Sequence, residues 1–309
     1  GIMVNGPRVT RDKWIIRNNH VHHNCVDFIG GQKSPHNFTA GIKVLCLGSG
    51  RDLLIERNRV HDNGNVHQRN NILIKGIGIW VDTWPDGGAT VRRNQVWHNV
   101  NGGIKIELTE RQQVYCNIVY GNGTGGQWIN SNGGKAGILC SRGAHKNLIC
   151  HNTIYNNVGP QIALQGPRFD EGRPNTKFSN GNVIKNNIAI SRRSADSALR
   201  VFGSKAGDFN ANVISHNCFG PAKAKFISWG IKPTAYDTYQ EFEKVYREHT
   251  HRKSTYSIDE NPHWIAPEDG NFHLSEKSSV RAVGEVLPFV THDFDGRELH
   301  KHPSLGAYQ

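Results

Sequence analysis

Short runs in which apolar and polar residues alternate about an asparagine recur along most of the chain. IIRNNHVHHN (15–24), LIERNRVHDN (54–63), TVRRNQVWHN (90–99), VYCNIVYGN (114–122), LICHNTIYNN (148–157), VIKNNIAIS (183–191) and VISHNCF (213–219) align without strain. The alignment places Asn19, Asn58, Asn94, Asn117, Asn152, Asn187 and Asn217 in one column, at spacings of 39, 36, 23, 35, 35 and 30 residues. Repeats of 20–50 residues are the mark of a solenoid. The shortest spacing is one bare coil of a parallel β-helix, and the excess elsewhere is loop. An amide suits the column because it both donates and accepts, so stacked copies satisfy one another at a buried bend.

A further strand in each coil shows the same alternation. Ile79 and Val81, Ile104 and Ile106, Ile138 and Cys140, and Ile162 and Leu164 point inward, as the twofold period of a strand requires. Trp80 and Asp82, Lys105 and Glu107, Leu139 and Ser141, and Ala163 and Gln165 then line one outer face. Residues 76–122 state the pattern twice: GIWVD is followed by TVRRNQVWHN, and GIKIE by QVYCNIVYGN, so that Gly78 matches Gly103 and Asp82 matches Glu107. This is also where the coil is shortest, so the two carboxylates are expected to stack as neighbours.

Between these runs, GQKSPHNFTAG (31–41), the stretch 63–75, GNGTGGQWINSNGGK (121–135) and QGPRFDEGRPNTKFSNG (165–181) are rich in Gly, Asn or Pro and read as loops walling that face. Past residue 220 the repeat fades. Residues 236–249 carry Tyr239, Phe242, Val245 and Tyr246 at helical spacing opposite a charged face. An open solenoid end exposes strand edges, so this helix and the segment C-terminal to it are expected to cap the solenoid. The division is 1–220 for the coils and 221–309 for a capping segment of the same domain, an all-β, single-stranded right-handed parallel β-helix of seven to nine coils.

Composition narrows the function. Lys and Arg exceed Asp and Glu by 37 to 26, a net charge of +11, which favours an anionic partner. Aromatics do not interleave with basic clusters, which disfavours nucleic acid, and no apolar run approaches the ~18 residues of a membrane span. The six cysteines show no CxxC spacing; they read as small core residues, with one disulfide between neighbouring coils as the most that is expected. The opening GIMVNGPRV reads as the inside of a coil, so a start removed by processing is expected, and the lack of a leader leaves the compartment open.

The ladder runs, the GIWVD and GIKIE strands and the ending NPHWIAPEDGNFHLSEKSSVRAVG with DFDGRELHKHPSLGAYQ together resemble the right-handed parallel β-helix proteins of the pectate-lyase-like superfamily. The resemblance covers essentially the whole chain and implies a secreted or periplasmic protein acting on carbohydrate, as a glycoside hydrolase, a polysaccharide lyase or an epimerase. A narrower similarity is to the β-helix β-xylosidases, in which an Asp in a Leu-Trp-Leu-Asp-type strand is the nucleophile and a Glu in a Val-Glu-type strand one coil later is the acid/base. Trp80-Val81-Asp82 and Ile106-Glu107 stand in that relation. The flanks differ: Thr83 and Trp84 follow Asp82, and Leu108, Thr109 and Glu110 follow Glu107.

Chemistry of the pair agrees with that implication. Adjacent coils lie ~4.8 Å apart, so two outward carboxylates in one column stand roughly 5 Å apart, the separation of a retaining glycosidase. Repulsion between carboxylates so close favours a proton on one of them, as a general acid requires. Asp82 is the expected nucleophile and Glu107 the acid/base, with Trp80, Lys105, Lys43, Ser141, Arg142, Gln165 and Arg168 as substrate-binding residues. The alternative is a lyase acting on a uronate polymer, which needs a cation to neutralise the uronate carboxylate and a base such as Lys, Arg, His or Tyr; Lys43 and Lys105 share the outward column of Trp80, and Arg142 and Arg168 follow the next strands. A third reading is a glycan-binding β-helix without catalysis. No cofactor is expected, Ca²⁺ being the one ion the pair would suit. Among 17 histidines, His20, His22 and His23 lie together, but strand alternation sends His23 to the opposite face, which argues against chelation.

Overall fold

The computed structural model describes residues 1–6, 13–24, 40–46, 52–69, 72–74, 76–83, 88–124, 135–165, 179–193, 195–202, 211–221, 226–230, 234–252 and 254–309. The chain winds as a parallel β-helix. Each of the first six coils contributes one strand to each of three sheets, taken in the order A, B, C. Sheet A has nine strands, beginning with Ile2–Gly6, Ala40–Cys46, Ile77–Asp82, Gly102–Glu107 and Ile138–Ser141, and closes with an antiparallel strand, Thr234–Tyr236. Sheet B has seven strands and sheet C six. Every other described pairing within the three sheets is parallel, and no register shift interrupts it.

One side chain in two points into the bore, and these residues form a continuous core. Ile42, Val44, Ile79, Val81, Ile104, Ile106, Ile138 and Cys140 come from sheet A, with Leu53, Ile55, Val91 and Val114 from sheet B and Val60, Val96, Val119 and Ile154 from sheet C. The glycines that open the sheet A strands keep that bore narrow. A Cβ at Gly78 would lie 2.4 Å from Val96 Cγ1, and one at Gly103 would lie 2.3 Å from Val119 Cγ1.

The expected asparagine column is present. From Asn19 to Asn187, each Nδ2 donates to Oδ1 of the next coil's asparagine at 2.9–3.0 Å, ending at Asn217. The residue before each asparagine is left-handed (Asn18, Arg57, Arg93, Cys116, His151, Asn186 and His216, φ 50–57°). That conformation turns the chain sharply from sheet B to sheet C. A second ladder, Asn24–Asn63–Asn99–Asn122–Asn157 and then Gln161, lines the next corner. A third, entering sheet B, runs Asn147–Asn182–Asn212, with Gln112 accepting from Ala89 N and donating its own backbone N–H to Asn147.

The stretch 63–75, expected to be a loop, instead contains a two-stranded antiparallel hairpin, Asn65–Arg69 with Ile72–Ile74. The helix α1, Tyr239–Thr250, begins at a capping box between Thr238 and Glu241, and buries Phe242 and Tyr246 against Trp229 of the last parallel strand. It caps the solenoid end as expected. The chain beyond it does more than cap. It returns along the flank of the solenoid and covers outward residues of sheets B and C, packing Phe272 on Tyr120 and Tyr155 and Val290 with Tyr115, Cys116 and Cys150. Cys116, Cys140, Cys150 and Cys218 are buried and free, so a disulfide among them is ruled out; Cys25 and the Cys46 side chain lie outside the described residues. No described helix is long and apolar enough to cross a membrane.

Candidate active site

Two outward rows cross sheet A. The first runs Met3, Lys43, Trp80, Lys105, Leu139, Ala163, Arg200 and Ser228. The second contains Leu45, Asp82, Glu107 and Ser141, with Asp82 the Cα partner of Glu107 and Glu107 the partner of Ser141. Gln165 follows Leu164, the partner of Cys140, at the corresponding end of the next strand. The rows point away from the bore, yet their central residues are well covered: Asp82 is 6% exposed, Glu107 3% and Lys43 1%.

All four carboxylate oxygens of the pair accept from a donor. Lys43 Nζ donates to Asp82 Oδ2 at 3.1 Å and Thr83 Oγ1 to Asp82 Oδ1 at 2.9 Å. Lys105 Nζ is 2.9 Å from Glu107 Oε2, and Arg142 Nε is 3.0 Å from Glu107 Oε1. Burial is the main influence on Lys43 and lowers its pKa, while Asp82 opposes that shift. Between the two lysines lies Trp80, 5% exposed, with Lys43 Nζ 3.3 Å and Lys105 Nζ 4.2 Å from its ring centroid. These cation–π contacts hold both ammonium groups over the indole. A sugar would have to displace one of them to stack on Trp80.

Backbone geometry at the strand ends explains the clustering. Thr83, Leu108 and Arg142, each the residue after the second row, are all left-handed (φ 51–52°). Thr83 N donates to Glu107 O at 2.9 Å. The turn at Arg142 brings its guanidinium back over Glu107 of the preceding coil, and the side chain remains 42% exposed. Arg142 is therefore the solvent-side cation of the site, while Lys43, 2% exposed at its side chain, is the innermost.

Asp82, Glu107, Trp80, Lys43, Lys105 and Arg142 are thus brought together. Ser141 lies beside Glu107, buried and with no hydrogen-bond partner for Oγ among the described residues. Gln165 is buried one coil further along. Arg168 and Trp84 lie outside the described residues, as do most of the segments expected to wall the face. Thr83 was legible only as the residue following Asp82, with no sign of its hydroxyl's direction. A Ca²⁺ ion takes six to eight oxygen ligands; here each carboxylate oxygen already faces a cation or a hydroxyl, and Leu45 flanks the pair, so these residues do not compose such a shell.

The histidines depart from the alternation argument. His23 is left-handed (φ 51°), which returns its ring to within 5.1 Å of His22, with the two Nδ1 atoms 2.8 Å apart. His61, from the next coil, stacks on His22 and on Trp97.

No protein-family model matches the chain, and no curated protein sequence matches it. Among solved structures, that of the pectate lyase Pel9A is similar with a TM-score of 0.47 and 16% identity, covering 96% of this chain. The chain spans 65% of the length of that lyase structure.

Proposed function

We propose that the protein is a secreted or periplasmic carbohydrate-active enzyme, a retaining glycoside hydrolase with Asp82 as nucleophile and Glu107 as acid/base. The observation that carries this reading is the pairing of Asp82 with Glu107 across adjacent parallel strands, in one outward row. Strands ~4.8 Å apart suit the short carboxylate separation of the double-displacement mechanism. Lys43 and Thr83 hold Asp82 in place, so that one orientation faces the anomeric carbon. Lys105 and Arg142 both sit on Glu107. Arg142, exposed and reaching in from the solvent side, is the group that moves off when a glycosidic oxygen enters. Glu107, having taken a proton from solvent in place of the Arg142 contact, gives it to the leaving oxygen as Asp82 attacks the anomeric carbon; in the second half-reaction it recovers a proton from the incoming water, which displaces Asp82 from the sugar. Ser141 and Gln165 continue the row as hydrogen-bonding groups for further sugar hydroxyls, and Arg168 remains a proposed contact from sequence.

A specific observation also favours a second reading, elimination on a uronate polymer. Lys43 is a buried amine whose pKa is lowered by that burial, the adjustment a lysine base requires, and Lys105 and Arg142 would receive the uronate carboxylate. Product chemistry separates the two. A panel of neutral and uronate-containing oligosaccharides is assayed for new reducing ends and for ultraviolet absorbance of an unsaturated uronide. Hydrolysis without absorbance, reduced by ~10³-fold or more in Asp82→Asn and in Glu107→Gln, is the expected result. Full activity in both variants overturns the hydrolase reading. An absorbing product that disappears in Lys43→Met establishes the lyase instead.

A further inference from the structure

On sheet C, away from the carboxylate row, the first two coils bring two imidazoles together nitrogen to nitrogen. His20 Nε2 lies 2.6 Å from His61 Nε2, and His61 Nδ1 lies 2.6 Å from Asp62 Oδ2. The second contact fixes the chemistry of the first. A carboxylate accepts only from a ring N–H, so His61 carries its proton on Nδ1 and aims the Nε2 lone pair at His20. At that separation one proton is shared between the two Nε2 atoms, and a metal ion takes its place only if the rings open. Carboxylate–histidine–metal is the arrangement by which proteins orient a ligating imidazole and raise its basicity.

We propose that His20 and His61 bind a divalent transition-metal ion of the zinc, nickel or copper class, with Asp62 orienting His61 from behind. Imidazole nitrogen suits these ions. Among the described residues no group of three or more His, Cys, Asp or Glu side chains gathers as a metal cage, so this is a two-histidine site completed by water. Metal–nitrogen bonds of about 2.0–2.1 Å at a tetrahedral ion put the two nitrogens about 3.4 Å apart. The rings therefore open by under about 1 Å from their present separation, a small rotation for His20, which is exposed. Among the described residues the strand His20–His22 pairs on one side only, with Arg59–His61. An ion shared by His20 and His61 crosslinks the two coils.

Calorimetric titration of the metal-stripped, tag-free protein with NiCl₂ and ZnCl₂ tests this. One saturable site per chain is expected, lost in His20→Ala and in His61→Ala, weakened 10- to 100-fold in Asp62→Asn and unchanged in His302→Ala. In the unsubstituted protein, Zn²⁺ should protect His20 and His61 from diethyl pyrocarbonate, read by peptide mass mapping, which bypasses any folding defect in the variants. Absence of a saturable site, binding that survives both histidine substitutions, or equal modification of His20 and His61 with and without Zn²⁺ overturns the proposal.

Discussion

At the scale of single residues, two corners store chemistry that neighbouring strands do not. His151 turns the chain ahead of Asn152 and is fully buried. Asn186 Nδ2 lies 2.9 Å from its Nε2. Burial pushes its pKa from 6.5 down to about 4. Below pH 6.5 the unfolded chain takes up a proton that the folded chain refuses. The stabilisation is therefore complete above pH 6.5 and is lost as pH falls toward 4, by about 2 kcal/mol at pH 5. Urea unfolding at pH 7 and pH 5 should show that difference in the native protein, and a loss smaller by this amount in His151→Gln. Thr83 is the other case, a β-branched residue in the left-handed region, where such residues are strained. Thr83→Gly relieves the strain but removes the hydroxyl from Asp82. Its thermal midpoint should hold or rise while kcat falls roughly tenfold with KM little changed; a fall in both midpoint and activity would show that the hydroxyl serves stability instead.

At the scale of elements, the ladders decide whether the coil closes. Asn117 accepts at Oδ1 from the backbone and side chain of Asn94, and its Nδ2 donates to Val91 O, Tyr115 O and Asn152 Oδ1. Asn117→Ala strands several buried groups at once, at a cost on the order of 3 kcal/mol or more. The half-buried Asn156, one corner away, should shift the urea midpoint by much less when replaced by alanine. The first ladder was legible because one residue type recurs at one position between two apolar triplets. The second ended five of the same aligned runs, but its column stops at Asn157 and passes to Gln161 of the same coil, which no repeat marks. The third escaped because Gln112 breaks its identity. Side chains at the site were legible in part. Period-two alternation put Asp82 and Glu107 in one row, whereas Arg142's reach to Glu107 and His23's return to His22 depend on left-handed corners, which alternation does not encode.

At the scale of the whole molecule, the returning C-terminal segment is expected to set the cooperativity. A solenoid is held by contacts between neighbouring coils, and such arrays tend to unfold piecewise. Here the return segment bonds to several coils at once. Phe272 packs on Tyr120 and Tyr155 of successive coils, Ala307 N donates to Thr153 Oγ1, and Gly306 N donates to Asn186 O of the coil beyond. Its cue in the sequence was the apolar outward residue on sheet C, Tyr155, Ile188 and Ile190, where an uncovered face would be polar. If this strap joins the coils into one unit, urea transitions followed by far-ultraviolet circular dichroism and by tryptophan fluorescence coincide in the native protein. Phe272→Ala removes about 3–5 kcal/mol of packing from the strap without touching the bore. The two transitions should then separate, with fluorescence from Trp264 changing first. Two probes that still coincide at a lower urea concentration would place the cooperativity in the coils and leave the strap as cover alone.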